Sequence, residues 1–211
     1  MPGSQVNRCG FSAKPDLYLS IDNRYKGEPG NITPIEMQQV YIPSERIRKL
    51  RKDRKMLDAL ERICKCTIDV KEEDSIVINA QDGYGEFLAR NVLFAFGRGF
   101  ELLDAEKLLN DEYYFNSIDV GQILGSEKRV KQVKARIIGE DGRTKTYIES
   151  VSGAKLSIYG DTVSFIGTPS QVSEAETAVD ILIHGGTHKV AYSRMETVHR
   201  KNKAERQSVE F

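Results

Sequence analysis

Arg136-Ile137-Ile138-Gly139-Glu140-Asp141-Gly142-Arg143-Thr144 is the stretch of this 211-residue chain whose residue types and spacing suit a definite chemistry. Two glycines three apart let a backbone turn sharply and let a bulky anion come close to the main chain. A helix starting just after them offers unpaired N–H groups and the positive end of its dipole at the same point. Cations flank the turn: Lys131, Lys134 and Arg136 before it, Arg143 and Lys145 after it. The chemistry is phosphate gripping, by backbone amides with basic side chains in support. A bare Gly-x-x-Gly is common, so the elements around it decide whether this reading holds.

Those elements are ordered. Val130, Val133 and Ile137 fall at helical spacing before the turn, and Thr144, Tyr147, Ile148 and Val151 carry the apolar period on after it. Leu156 and Ile158 alternate as a strand, Gly160-Asp161 reads as a tight turn, and Thr162 to Ile166 reads as a second strand. Thr168-Pro169 starts a helix with one apolar face (Val172, Ala175, Val179, Leu182), which Gly185-Gly186 ends. From Ile118 the order is therefore strand, helix, Gly-x-x-Gly, helix, strand, strand, helix. That order, with the loop at that joint, resembles a type I KH domain. The resemblance implies a groove that clamps about four single-stranded nucleotides. Gly139, Glu140, Asp141 and Gly142 would form its loop, with Arg143, Lys145, Arg136 and Lys134 on the phosphates. Its apolar floor would be drawn from Ile137, Ile138, Ile148, Leu156 and Ile158. Periodicity does not separate floor from core, and for any single one of these the core is the commoner place.

The preceding half repeats the pattern. Val40 and Ile42 suggest a short strand, Ser44 a helix cap, and Ile47, Leu50, Leu57, Leu60 and Ile63 helical faces. Thr67 to Val70 and Ser75 to Ala80 read as paired strands. Gly85 to Phe96 reads as a helix with a broad apolar face (Phe87, Leu88, Val92, Phe96). Superposing Glu61 on Glu149 also puts Leu50 on Ile138, Leu60 on Ile148, Ile63 on Val151, Ile68 on Leu156 and Val70 on Ile158. Matching apolar positions over this length mean an internal duplication. The first copy has lost its glycines, because Arg51-Lys52-Asp53-Arg54 stands in their place. Side chains there would block close backbone approach. In exchange, Arg46, Arg48, Lys49, Arg51, Lys52, Arg54 and Lys55 form the densest basic run in the chain. Such a run is either a solvated helix face or a docking patch for RNA or protein.

The fold class expected is α/β (α+β): two tandem type I KH domains, each a three-stranded sheet covered by three helices, joined by a helical linker. Residues 1–36, rich in Pro, Gly, Ser and Asn, read as a disordered tail in which Leu17, Leu19 and Ile21 alternate only briefly. Residues 37–100 form the degenerate first domain, 101–115 the linker (Leu102, Leu103, Ala105, Leu108, Leu109), and 116–186 the second domain. An apolar linker implies that the copies pack together. The basic segment 187–211 (Lys189, Arg194, Arg200, Lys201, Lys203, Arg206) reads as a frayed, partly helical tail.

Composition bounds the function. Lys and Arg number 31, as do Asp and Glu, so the formal net charge is zero. A nucleic-acid binder of this composition must segregate its charge. No apolar run approaches membrane-spanning length, so no membrane role is expected. Three cysteines without a CxxC pair fit a reducing cytoplasm, and Cys64 and Cys66 align with Ser152 and Ala154 as small fillers. His184 and His188 have metal-like spacing, but a glycine pair lies between them. No Walker motif, nucleophile constellation or cofactor loop is visible, so neither a cofactor, a metal nor an enzymatic activity is expected.

The degraded first loop, Phe96-Gly97-Arg98-Gly99-Phe100, Ala105 to Leu109, Asp111 to Tyr114, and Arg136 to Thr144 with Ser152-Gly153-Ala154 together resemble the archaeal two-KH-domain ribosome assembly factors. These are the archaeal counterparts of the partner-of-Nob-one (Dim-two) family, and the resemblance covers Val40 to Arg200. It implies a non-enzymatic, cytoplasmic role in small-subunit maturation. Implied partners are single-stranded pre-16S rRNA near its 3′ end, the endonuclease that trims that end, and the alpha subunit of translation initiation factor two. The alternative is a protein-interaction adaptor that docks a nuclease or an initiation factor through its first domain. Two departures stand out. The first copy lacks the Gly-x-x-Gly that archaeal members often keep, and the second loop carries Glu140-Asp141, which repel phosphate.

Overall fold

The computed structural model describes residues 38–52, 54–71 and 75–209. The expected tail, residues 1–36, lies outside them. The first domain runs β1 (Gln38–Tyr41), α1 (Ser44–Lys52), α2 (Arg54–Cys64), β2 (Cys66–Val70), β3 (Ser75–Ala80) and α3 (Gly83–Gly97). The second runs β4 (Tyr114–Asp119), α5 (Val120–Leu124), α6 (Glu127–Ile138), α7 (Arg143–Ser152), β5 (Lys155–Tyr159), β6 (Thr162–Gly167) and α8 (Pro169–Ile183). Each has an antiparallel three-stranded sheet with the same topology, ordered β1-β3-β2 and β4-β6-β5. These are two tandem type I KH domains.

The duplication extends to hydrogen bonds. Glu61 accepts from the Ile68 amide at 2.7 Å, and Glu149 accepts from the Leu156 amide at 2.8 Å, so each carboxylate ties a helix to the strand after it. Arg46 spans from α1 to the Phe96 carbonyl at 3.0 Å and to the Phe100 carbonyl. Arg136 spans from α6 to the Leu182 carbonyl at 3.0 Å and to the Gly186 carbonyl. Both arginines close the carboxyl end of their domain's last long helix, where carbonyls lack intrahelical partners. Thr168 starts α8 with Pro169 in the first turn, and its amide donates to Gln171 at 2.9 Å.

Each domain has its own core. Ile47, Leu50, Leu57, Leu60, Ile68, Ile76 and Val92 belong to the first, and Val130, Ile137, Ile148, Leu156, Phe165 and Val179 to the second. Ile63 and Phe87, read as core-facing, are more than half exposed, at 57% and 56%, whereas Cys64 beside Ile63 is buried as read. Burial pushes the Cys64 thiol up to about 11 and also raises that of Cys66.

The domains meet over the outer face of the second sheet. Ile166 joins the first core, Phe115 stands edge-on to Phe94 at 5.4 Å, and Ser157 donates to the Arg98 carbonyl at 2.9 Å. Gly99, at φ +96°, fits under this contact: a Cβ there would lie 2.6 Å from Ser157 Oγ.

Two segments differ from the sequence reading. The stretch read as a linker helix holds only α4 (Leu102–Ala105) and a 3-10 turn (Glu106–Leu109), and β4 already begins at Tyr114. The Asn110 side chain accepts from the Glu112 amide at 3.0 Å, an Asx turn that competes with helix. The segment read as frayed is instead a 22-residue helix, α9 (His188–Val209). Ala191 and Met195 are fully buried, and the buried Glu174 on α8 accepts from His199 at 2.7 Å and Asn202 at 2.8 Å.

Candidate nucleic-acid interface

The loop between α6 and α7 has the backbone that its glycines permit. Gly139 sits at φ +75°, ψ 176°, Asp141 at φ +51° and Gly142 at φ +77°, ψ 7°. The Gly139 conformation is open essentially to glycine alone. A Cβ on Gly139 would lie 2.3 Å from Thr144 Oγ1, whereas one on Gly142 would meet nothing within 4 Å. Gly139 is therefore required by packing as well as by backbone, and Gly142 by backbone only. No side chain caps the start of α7, so its dipole end faces the turn, although the Arg143 amide donates to the Glu140 carbonyl.

The side chains divide into those that can reach a ligand and those that cannot. Glu140 and Asp141 stand in solvent, each 3.9 Å from the guanidinium of Arg143, which is 75% exposed. Lys145 is half-buried one turn on. Lys134 pairs with Asp161 at 3.4 Å. Arg136, read as a phosphate contact, is committed to the carbonyls of Leu182 and Gly186. Ile137 and Ile148, read as groove floor, are fully buried, and Leu156 is core as well. Ile138 alone of the apolar pair before the loop reaches solvent, at 38% exposed. Lys128, Lys131, Ala135 and Ile138 are all exposed, and helical spacing aligns them in one stripe that ends at the loop. A stripe of two cations, a small residue and an isoleucine can carry phosphates at one end and a base at the other.

Linear reading missed the contacts that α9 makes behind the loop. Tyr192 donates to Thr144 Oγ1 at 3.1 Å and packs on Tyr147 with ring centroids 4.4 Å apart. His188 Nε2 donates to the Arg136 carbonyl at 3.0 Å. Tyr147 donates to Glu196, and this hydrogen bond raises its hydroxyl pKa. No signal in the sequence joins residues this far apart.

The first domain has no Gly-x-x-Gly at this joint, where α1 ends at Lys52 and α2 begins at Arg54. Of its basic run, Arg46 is held against the Phe96 ring and carbonyl, and Lys49 pairs with Glu101. Arg51 donates to the Lys71 carbonyl at 3.0 Å, while Arg48, Lys52, Arg54 and Lys55 are exposed. Among the described residues no group of three or more His, Cys, Asp or Glu converges as a metal site, and no helix is long and apolar enough to cross a membrane.

The fold and the loop define a tandem KH protein whose second copy alone carries the Gly-x-x-Gly turn. Residues 114–200 match the second KH domain of PNO1, a eukaryotic type KH domain (KH-domain type I). A KH domain-containing protein of Methanocaldococcus jannaschii is 32% identical over 170 residues, covering 78% of this chain and 75% of the relative. The pre-rRNA-processing protein PNO1 of Chaetomium thermophilum is 27% identical, over 87% of this chain and 75% of its own. In the crystal structure of the a/eIF2alpha–aDim2p–rRNA complex from Pyrococcus horikoshii, the matching chain is 32% identical with a TM-score of 0.69, over 79% of this chain and 95% of that one. The chain belongs to the PNO1/Dim2 family of RNA-binding, pre-rRNA-processing KH proteins.

Proposed function

We propose that the second KH domain binds single-stranded pre-16S rRNA near its 3′ end, and that the protein thereby assists the endonuclease that matures that end. The observation that carries this reading is the uncapped start of α7 behind Gly139 and Gly142, with the Lys128–Ile138 stripe leading into it. The Glu140 and Asp141 amides and the Arg143 side chain would hold the phosphates, with Lys145 beside them, and Ile138 would support a base. The rRNA complex of the Pyrococcus relative supports the choice of RNA. Lys134 would contribute after exchanging Asp161 for phosphate. The role is one of binding and positioning, not of catalysis.

A second reading concerns the first domain. With no Gly-x-x-Gly there, its exposed Arg48, Lys52, Arg54 and Lys55 form a patch suited to an acidic protein surface. The a/eIF2alpha present in the Pyrococcus complex favours the alpha subunit of initiation factor two as one such partner. The two readings are compatible because they use different domains.

Affinity for a fluorescent single-stranded oligonucleotide of the 16S 3′ end, compared with the same strand in a duplex, tests the first reading. Tight binding of the single strand alone is expected; equal binding of both would contradict a KH groove. Replacing Arg48, Lys52, Arg54 and Lys55 by Ser should leave that affinity nearly unchanged and weaken the protein partner.

A further inference from the structure

Helix α9 touches both ends of the glycine loop from behind. Its first turn ends the last turn of α6, where His188 Nε2 donates to the carbonyl of Arg136 at 3.0 Å. One turn later Tyr192 donates to Thr144 Oγ1 at 3.1 Å, in the first turn of α7. Thr144 is the side chain that lies against Gly139, with its Oγ1 2.3 Å from where a Cβ would stand. Arg136 completes the ring, because its guanidinium holds the Gly186 carbonyl in the turn that leads into α9. The helix is itself anchored between these contacts by buried Ala191, and beyond them by buried Met195 and by the buried Glu174 carboxylate with His199, Asn202 and, at 3.8 Å, Arg206.

We propose that α9 is the strut that holds the glycine loop in its phosphate-accepting shape, with Tyr192 and His188 as positioning residues. The inference rests on reading that loop as the RNA clamp. Gly139 and Gly142 confer freedom on the chain, and freedom must be removed before amides can be aimed at a phosphate. Within the loop the restraint is limited to one tight turn, closed by the Gly142 amide on the Gly139 carbonyl at 3.3 Å, while the side chains of Glu140, Asp141 and Arg143 are all in solvent. The placing of that turn comes from α9, which fixes the gap between the two helices that the loop spans. Neither positioning residue needs to touch RNA.

The test uses the full chain with Tyr192→Phe, which removes one hydroxyl and keeps the ring packed on Tyr147. Tyr84→Phe is the control, since its hydroxyl binds Asp111, away from α9 and the loop. Amide hydrogen exchange across residues 139–146 is measured first, without RNA. Tyr192→Phe should speed exchange there by more than its fall of a few degrees in melting temperature accounts for, and Tyr84→Phe should leave exchange there unchanged. Affinity for the 16S 3′-end oligonucleotide should fall roughly three- to tenfold in Tyr192→Phe, the weight of one hydrogen bond. The salt slope should stay that of the wild type, since no phosphate contact is lost. In a Thr144→Val background, Tyr192→Phe should add nothing. Wild-type exchange in Tyr192→Phe would overturn the strut, whatever the RNA result. Wild-type protein that fails to bind the oligonucleotide would sink the RNA reading instead, and exchange would still decide the role of α9.

Discussion

Arg136 closes the carboxyl end of α8 through the Leu182 carbonyl, 3.0 Å from its Nη1, and so spends part of its guanidinium on the fold. In the first domain Arg46 makes the matching closure on Phe96. A cation beside the Gly-x-x-Gly turn thus has a role in the fold, and its counterpart has the same role in the domain without that motif. Arg136→Met should cost about 3 kcal/mol of stability, for the loss of two charge-assisted bonds, although the Leu182 carbonyl keeps the Gly185 amide at 3.2 Å. Urea unfolding checks this, and a loss well under 1 kcal/mol would show that the closure contributes little.

The two loop glycines should respond differently to the smallest side chain. Gly139→Ala meets Thr144 in a backbone conformation reserved for glycine and should cost at least about 2 kcal/mol. Gly142→Ala faces open space in the left-handed region and should cost about 1 kcal/mol. Thermal melts of the two variants give the order directly; equal losses would contradict the packing of Thr144 on Gly139.

Glu140 and Asp141 set a repulsive field at the loop and draw Arg143 toward themselves. Replacing both with Lys should tighten RNA binding and steepen its salt dependence by about 0.7 in log–log slope per phosphate newly neutralised. Titrations at several salt concentrations read both effects. Unchanged affinity at low salt would place the RNA away from these residues.

Burial raises the Glu176 carboxyl above the ordinary carboxylate range, and its hydrogen bond from Asn116 pulls the other way. The folded chain therefore binds this proton more tightly than the unfolded one. The stabilising contribution is complete below the ordinary value of about 4.3 and is lost as pH rises through the folded one. Glu176→Gln should accordingly be more stable than wild type at pH 7, with the difference shrinking toward pH 4. Denaturation midpoints at the two pH values decide it, and a variant weaker at pH 7 would refute the sign.

Much of this architecture was legible because the chain states it twice. The apolar periods of Leu60 and Ile148, or Ile68 and Leu156, recover the same helix and strand in each copy, and Glu61 and Glu149 recur with them. Thr168-Pro169 and Gly185-Gly186 mark the bounds of α8 through local backbone chemistry. The loop announced itself through its glycines. Function within it was less legible, because side-chain direction is set by tertiary packing. Ile137 and Ile138 are adjacent and chemically identical, yet one is core and the other reaches solvent. Arg136 and Arg143 carry the same charge, yet one closes a helix and the other faces water. Helix α9 has a mostly polar sequence, and its docking depends on Glu174, Ala191 and Met195 meeting partners far away in the chain.

Gly142→Asp is the most direct probe of the loop as a phosphate clamp, because the position is open and Asp tolerates left-handed backbone. Anisotropy of a labelled single-stranded 16S 3′-end oligonucleotide is recorded for wild type and variant, with circular dichroism to show that both are folded. A folded variant that has lost affinity by more than about tenfold is the expected result, since a carboxylate would stand where the phosphate sits. A folded variant that binds as tightly as wild type would remove the loop from RNA recognition.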